Sequence, residues 1–166
     1  MKRQFGISIF LCIVFFQLNC GNSVKSNASK SNSEDVKIEL TEDNLSQNLR
    51  LWKDKNISNY SFVLSRFGGG QYGWVPVVIQ VENNKAISLK PARKKLELER
   101  IDGYEDFDTF DKLFARIGDS YKKKYHVEVV YKKELGYPEK IIVDDFKTNH
   151  SGFYLEVSDF KVEINK

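Results

Sequence analysis

The chain is predicted to be an α+β protein, with two helices packed on one face of an antiparallel sheet. Three observations predict this. Two segments repeat apolar residues at helical spacing, Leu45, Leu49 and Trp52 in one and Phe110, Leu113, Phe114, Ile117 and Tyr121 in the other. Several others alternate apolar and polar side chains with a period of two, as a half-buried strand does. The elements run helix, strand, strand, strand, and then the same again, which suits helices covering one side of an antiparallel sheet.

The first helix starts at Thr41-Glu42-Asp43, where a hydroxyl caps free amides and acids meet the helix dipole. A strand follows over 57–67, with Tyr60, Phe62 and Leu64 alternating with Ser61, Val63 and Ser65. Gly68 to Gly73 is a turn region, and 74–82 is the second strand. Asn83-Asn84 makes a tight turn into a third strand over 85–90. Residues 91–106 form a charged connection with weak pattern. The second helix begins near Asp108-Thr109. Strands are then expected over 125–131, 141–143 and 153–164, with a Gly136-Tyr137-Pro138 turn after the first of them.

This order contains an internal repeat at an offset of 65 residues. Asp43 then meets Asp108, Leu49 meets Phe114, Trp52 meets Ile117 and Tyr60 meets Tyr125. Two halves, each of one helix and three antiparallel strands, are expected.

Residues 1–19 read as a lipoprotein-type leader. Lys2 and Arg3 precede an apolar run over 7–16 that is too short to span a membrane. Polarity returns at Cys20-Gly21, and a cysteine at that boundary is the expected lipidation site, because a thiolate takes a diacylglyceryl group as a thioether. Gln17 and Asn19 depart from the usual lipobox, so the motif is a relaxed one. Residues 20–40 are rich in Ser and Asn, bury too little to offset ordering entropy, and read as a tether. Residues 41–166 then form a single globular domain. The address expected is a membrane-anchored one, with the outer membrane favoured over the inner.

The formal charge of +3 shrinks once the leader is set aside. Without Lys2 and Arg3 the 26 basic residues become 24, against 23 acids. Net charge therefore points to no nucleic-acid partner. The chain has 2 cysteines, Cys12 in the leader and Cys20 at the anchor, so the domain has no disulfide and no thiol metal ligand.

A resemblance covers residues 45–162. Trp52 precedes a strand opening on Tyr60, and Leu113-Phe114 lies in the second helix. Tyr125-His126-Val127-Glu128-Val129-Val130-Tyr131 is followed by Gly136-Tyr137-Pro138-Glu139-Lys140-Ile141 and then Asp144. Together these resemble the DUF6174 family of small bacterial exported proteins and lipoproteins. The resemblance implies export and an α+β fold. It implies no activity, and Lys132 stands where such relatives often carry Asp.

Candidate chemistry is sparse. The glycines at 68–70 and 73 lack the Lys and helix of a phosphate loop and read as a hairpin. Asp102, Glu105, Asp106, Asp108 and Asp111 lack the glycine and closing Glu of a calcium loop, and capping accounts for Asp108 and Asp111. Asp144 and Asp145 lie near His150, a weak acid/base or metal constellation. The cations Lys90, Arg93, Lys94, Lys95 and Arg100 read as a solvated loop, diluted by Glu97 and Glu99. Tyr72, Trp74, Tyr104, Tyr137 and Tyr154 lie near turns and offer contact surface or burial against the sheet. No catalytic residue, cofactor or metal is expected. The function expected is a non-enzymatic binding module at the cell envelope, meeting the membrane through Cys20 and an envelope protein or polymer through its domain. The alternatives are a small enzyme or metal-dependent hydrolase, or an inhibitor-like domain.

Overall fold

The computed structural model describes residues 40–68, 73–97, 99–144 and 152–163. The order is α1 (Glu42–Asp54), β1 (Tyr60–Phe67), β2 (Val77–Glu82), β3 (Lys85–Pro91), α2 (Phe110–Lys122), β4 (His126–Tyr131), β5 (Pro138–Asp144) and β6 (Phe153–Val162). The fold is α+β, as the sequence predicts. All pairings are antiparallel, in one six-stranded sheet of order β3-β2-β1-β6-β5-β4.

Both helices begin on a threonine cap. Thr41 Oγ1 accepts from Asn44 N at 3.1 Å, and Thr109 Oγ1 accepts from Lys112 N at 3.2 Å. Each cap satisfies one of the amides that a helix start leaves free. A further α2 amide, Phe110 N, donates to the buried Tyr60 hydroxyl at 3.2 Å.

Strand boundaries differ from the sequence reading where proline and burial intervene. β2 begins at Val77, because Pro76 has no amide to give a ladder. β5 starts earlier than expected, at Pro138, the first strand position, where a missing amide is tolerated. Asn83 and Asn84 join β2 to β3 with φ of 49° and 61°, the left-handed pair that a two-residue hairpin turn of this hand needs.

Alternation puts Tyr60, Phe62 and Leu64 inside with Val77, Ile79 and Val81, and with Val127, Val129, Ile141 and Val143. The other face carries Ser61, Ser65, Gln80 and Glu156. A bulge in β6 then changes its parity. Ser61 faces Lys161 and Val63 faces Ser158, so two residues of β6, Asp159 and Phe160, oppose Phe62 alone, and Asp159 takes up the extra residue at φ 50°. Phe160 is thereby turned inward. Its ring centroid lies 4.9 Å from that of Tyr137 and 5.7 Å from that of Phe110.

The two halves share their element order and meet along β1 and β6. Matching β1 with β4, β2 with β5 and β3 with β6 keeps left-to-right order but reverses every strand direction. A rotation that does this turns the sheet over and would send one helix to the opposite side. Instead, Trp52 of α1 and Phe110 of α2 touch each other and Tyr60, at centroid distances of 4.8, 5.5 and 5.1 Å. Both helices therefore cover one face. The helix caps are also 68 residues apart, Thr41 to Thr109, rather than 65.

The sheet edges are blunted. Leu40 N bonds to Val127 O at 3.1 Å beside β4, and β3 ends in Lys90-Pro91.

Burial raises the pKa of Tyr60 and of Tyr104 from 10.0 to about 12 in each case, and it also pushes up Tyr131 and Tyr137. The unfolded tyrosines lose their protons first, so the folded state holds more protons between these values. Stability is then full below pH 10 and falls as pH rises toward about 12. Spectrophotometric titration at a phenolate wavelength is expected to show these four tyrosines ionising late, together with alkaline unfolding. Ionisation of all 8 tyrosines near pH 10 in a protein that stays folded would contradict it.

Candidate functional site

The weakly patterned connection after β3 builds the feature of greatest interest. Arg100 N donates to Gly73 O at 3.0 Å and Val75 N donates to Arg100 O at 3.2 Å, so Trp74 and Arg100 form an isolated parallel bridge. The chain then dives inward. Tyr104 and Phe107 are buried, and the Tyr104 hydroxyl donates to Val75 O at 3.0 Å. The end of the connection, from residue 99 to Phe107, thus forms a wall at the end of the sheet, while Lys90, Arg93, Lys94, Lys95 and Arg100 stay exposed, as expected of a solvated loop.

Between this wall, the end of β1 and the C-terminal half of α2 lies a cleft of about 440 Å³. Arg66, Arg100, Arg116 and Lys123 line it, opposed by Asp102, Asp106 and Asp119. Trp74, Phe107, Tyr125, Val143 and Phe153 supply its apolar surface.

Arg66 sits at its base for a reason written in β1. Residues 60, 62 and 64 point inward, and 66 continues that set with a cation. Phe67 then takes the outward parity, is 45% exposed, and stacks on Tyr154 at 4.8 Å. The Arg66 guanidinium lies 3.8 Å from the centre of the Trp74 ring and 5.4 Å from that of Phe107. Its Nη1 donates to Gly103 O at 3.3 Å. Trp74 is held in place by its Nε1 donating to Gly68 O at 3.0 Å.

Two more guanidiniums converge on the same rings. Arg100 lies 5.0 Å from the Trp74 centre and Arg116 lies 5.6 Å from that of Phe107. Arg100 is neutralised by Asp102 at 2.7 Å, and Arg116 reaches Asp106 only at 4.0 Å. Among the described residues no carboxylate pairs with Arg66. Burial lowers its pKa and the charges of Arg100 and Arg116 lower it too, while Tyr104 and Asp106 act in the opposite direction.

The residues singled out in the sequence are scattered by comparison. Cys20, Asp145 and His150 lie outside the described residues, as do Gly69, Gly70 and Tyr72. Asp144 ends β5 opposite His126, whose Nε2 is 3.0 Å from Glu128 Oε1. Among the described residues no group of three or more His, Cys, Asp or Glu side chains converges as metal ligands do. The acids after residue 101 each face a partner: Asp102 Arg100, Glu105 the Gly103 amide, Asp106 Arg116, Asp108 Lys112 and Asp111 Lys53. Arg93 and Glu99 clasp each other, and Arg93 together with the Leu96 amide draws the Glu99 carboxyl down to about 2.

The strand alternation, the Thr109 cap of α2 and the Gly136-Tyr137-Pro138 segment fall within one matched region. Residues 44–162 match the family of unknown function DUF6174. The chain belongs to this family. The DUF6174 region runs from the first turn of α1 through β6 and takes in every lining residue of the cleft. No curated protein and no solved structure matches the chain. No helix of the described residues is long and apolar enough to cross a membrane.

Proposed function

We propose that this DUF6174 protein is a lipid-anchored envelope protein that acts as a non-enzymatic binding module, with the cleft around Arg66 as its ligand site. One observation carries the reading: a partly buried guanidinium on the core-facing parity of a strand, stacked on an indole and without a carboxylate partner among the described residues. Placing a cation there costs desolvation and like-charge repulsion. Ligand binding is the simplest reason for a fold to bear that cost. The cationic start, short apolar run and Cys20-Gly21 boundary support export and lipidation at Cys20. The Ser/Asn-rich tether supports a domain held off the membrane, with an outer-membrane address favoured.

Native mass spectrometry of the full chain from its own membrane tests both parts. The expected species starts at Cys20, carries diacyl and acyl mass, and retains a ligand that is lost in Arg66→Met. An unlipidated chain cut elsewhere would overturn the anchor. Chemical conversion of the retained ligand on incubation would overturn a purely binding role.

A further inference from the structure

We infer that the cleft recognises a single organic carboxylate carried on an apolar group, an inference that rests on the cleft being the ligand site. A guanidinium stacked on a ring keeps its in-plane donors free, and that planar fork matches the two oxygens of a carboxylate. Gly103 O takes only one donor, on Nη1. The fork is also pre-oriented. Trp74 is tied to Gly68 O, and Gly103, at φ +85°, brings its carbonyl to the guanidinium where a Cβ would stand 3.5 Å from Nη1.

Charge around the cleft selects the valence of the ligand. Among the described residues four cations and three carboxylates line it, a surplus near one positive charge. A polyanion would meet Asp102, Asp106 and Asp119 as repulsive neighbours, whereas one carboxylate is matched. Trp74, Phe107 and Phe153 give the remainder of such a ligand an apolar wall. Arg100 is already satisfied by Asp102, so Arg66 makes the direct contact and Arg116 assists from the rim.

The carboxylate could belong to a free small acid or to a polypeptide C-terminus, and calorimetric titration of the full-length protein in detergent micelles separates them. The probes are benzoylglycine for the free acid and acetyl-Ala-Ala-Phe for the chain end, each beside its uncharged C-terminal amide, with inorganic phosphate as the competing anion. Binding of one or both acids is expected, with each amide at least about tenfold weaker, because the amide forfeits the charge-assisted pair. The tighter acid identifies the source. Arg66→Met is expected to lose about 10- to 100-fold, and Arg66→Lys not to restore it, since lysine lacks the fork. Arg116→Gln, on the exposed rim, is expected to lose severalfold and keeps the proposal falsifiable if Arg66→Met fails to fold. Equal binding of acid and amide, or phosphate binding tighter than both acids, with either signal lost in Arg66→Met, would overturn the carboxylate class while leaving the cleft as the ligand site. Absence of any binding sensitive to Arg66 or Arg116 in folded protein would overturn both.

Discussion

Gly136→Ala is expected to destabilise the domain by about 3 kcal/mol or more, read from urea unfolding. Gly136 has φ +78°, which alone costs an L side chain about 1 kcal/mol. Steric contact costs more. A Cβ there would lie 2.5 Å from the Asn48 carbonyl oxygen, 3.0 Å from Leu51 Cβ and 3.1 Å from Trp52 N. Two of these are backbone atoms of α1, so no side chain can swing aside. Either the helix lifts or the turn before β5 does, and both drag Tyr137 and Trp52 out of register. Gly68→Ala is the matched control. Its φ is +89° with nothing within 4 Å of the added carbon, so about 1 kcal/mol is expected. Equal costs at the two sites would show that the close approach of α1 to the turn is unimportant.

That contact explains why the Gly-Tyr-Pro turn reads so sharply in the sequence. Gly136 admits α1, Tyr137 enters the aromatic core, and Pro138 opens β5 where no amide is needed. Caps and alternation were legible for the same local reason: Thr41, Thr109 and the Tyr60-Phe62-Leu64 set act through neighbours a few residues away. The β6 bulge was not legible. Asp159 in a run of alternating residues gives no local sign that Phe160, rather than Asp159, turns inward, because that is decided by pairing with β1. The wall of the cleft was missed because Arg100, Tyr104 and Phe107 owe their positions to Gly73, Val75 and Phe153, far away in the chain. One signal of the site was nevertheless present. Arg66 continues the inward parity of 60, 62 and 64, and an arginine on a core-facing strand position needs an explanation that solvation does not supply.

Trp52→Ala is expected to cost about 3–5 kcal/mol, a large share of the stability of a domain this size. Trp52 is 4% exposed and is the only fully buried residue of α1. It meets Tyr60, Phe110, Tyr137 and Phe160 edge-on, at centroid distances of 5.5, 4.8, 6.2 and 6.1 Å. These partners come from β1, α2, the turn before β5, and β6, so one ring ties α1 to both halves of the sheet. Trp52→Phe should recover much of the loss, since a smaller ring still fills part of the space. Trp52 also forms the surface on which Gly136 rests. Combining Trp52→Ala with Gly136→Ala should therefore cost less than the two singles together, because α1 freed by the first change gives way to the second. Additive costs in urea unfolding would mean that α1 yields at Gly136 without moving Trp52, so that the two contacts hold the helix independently.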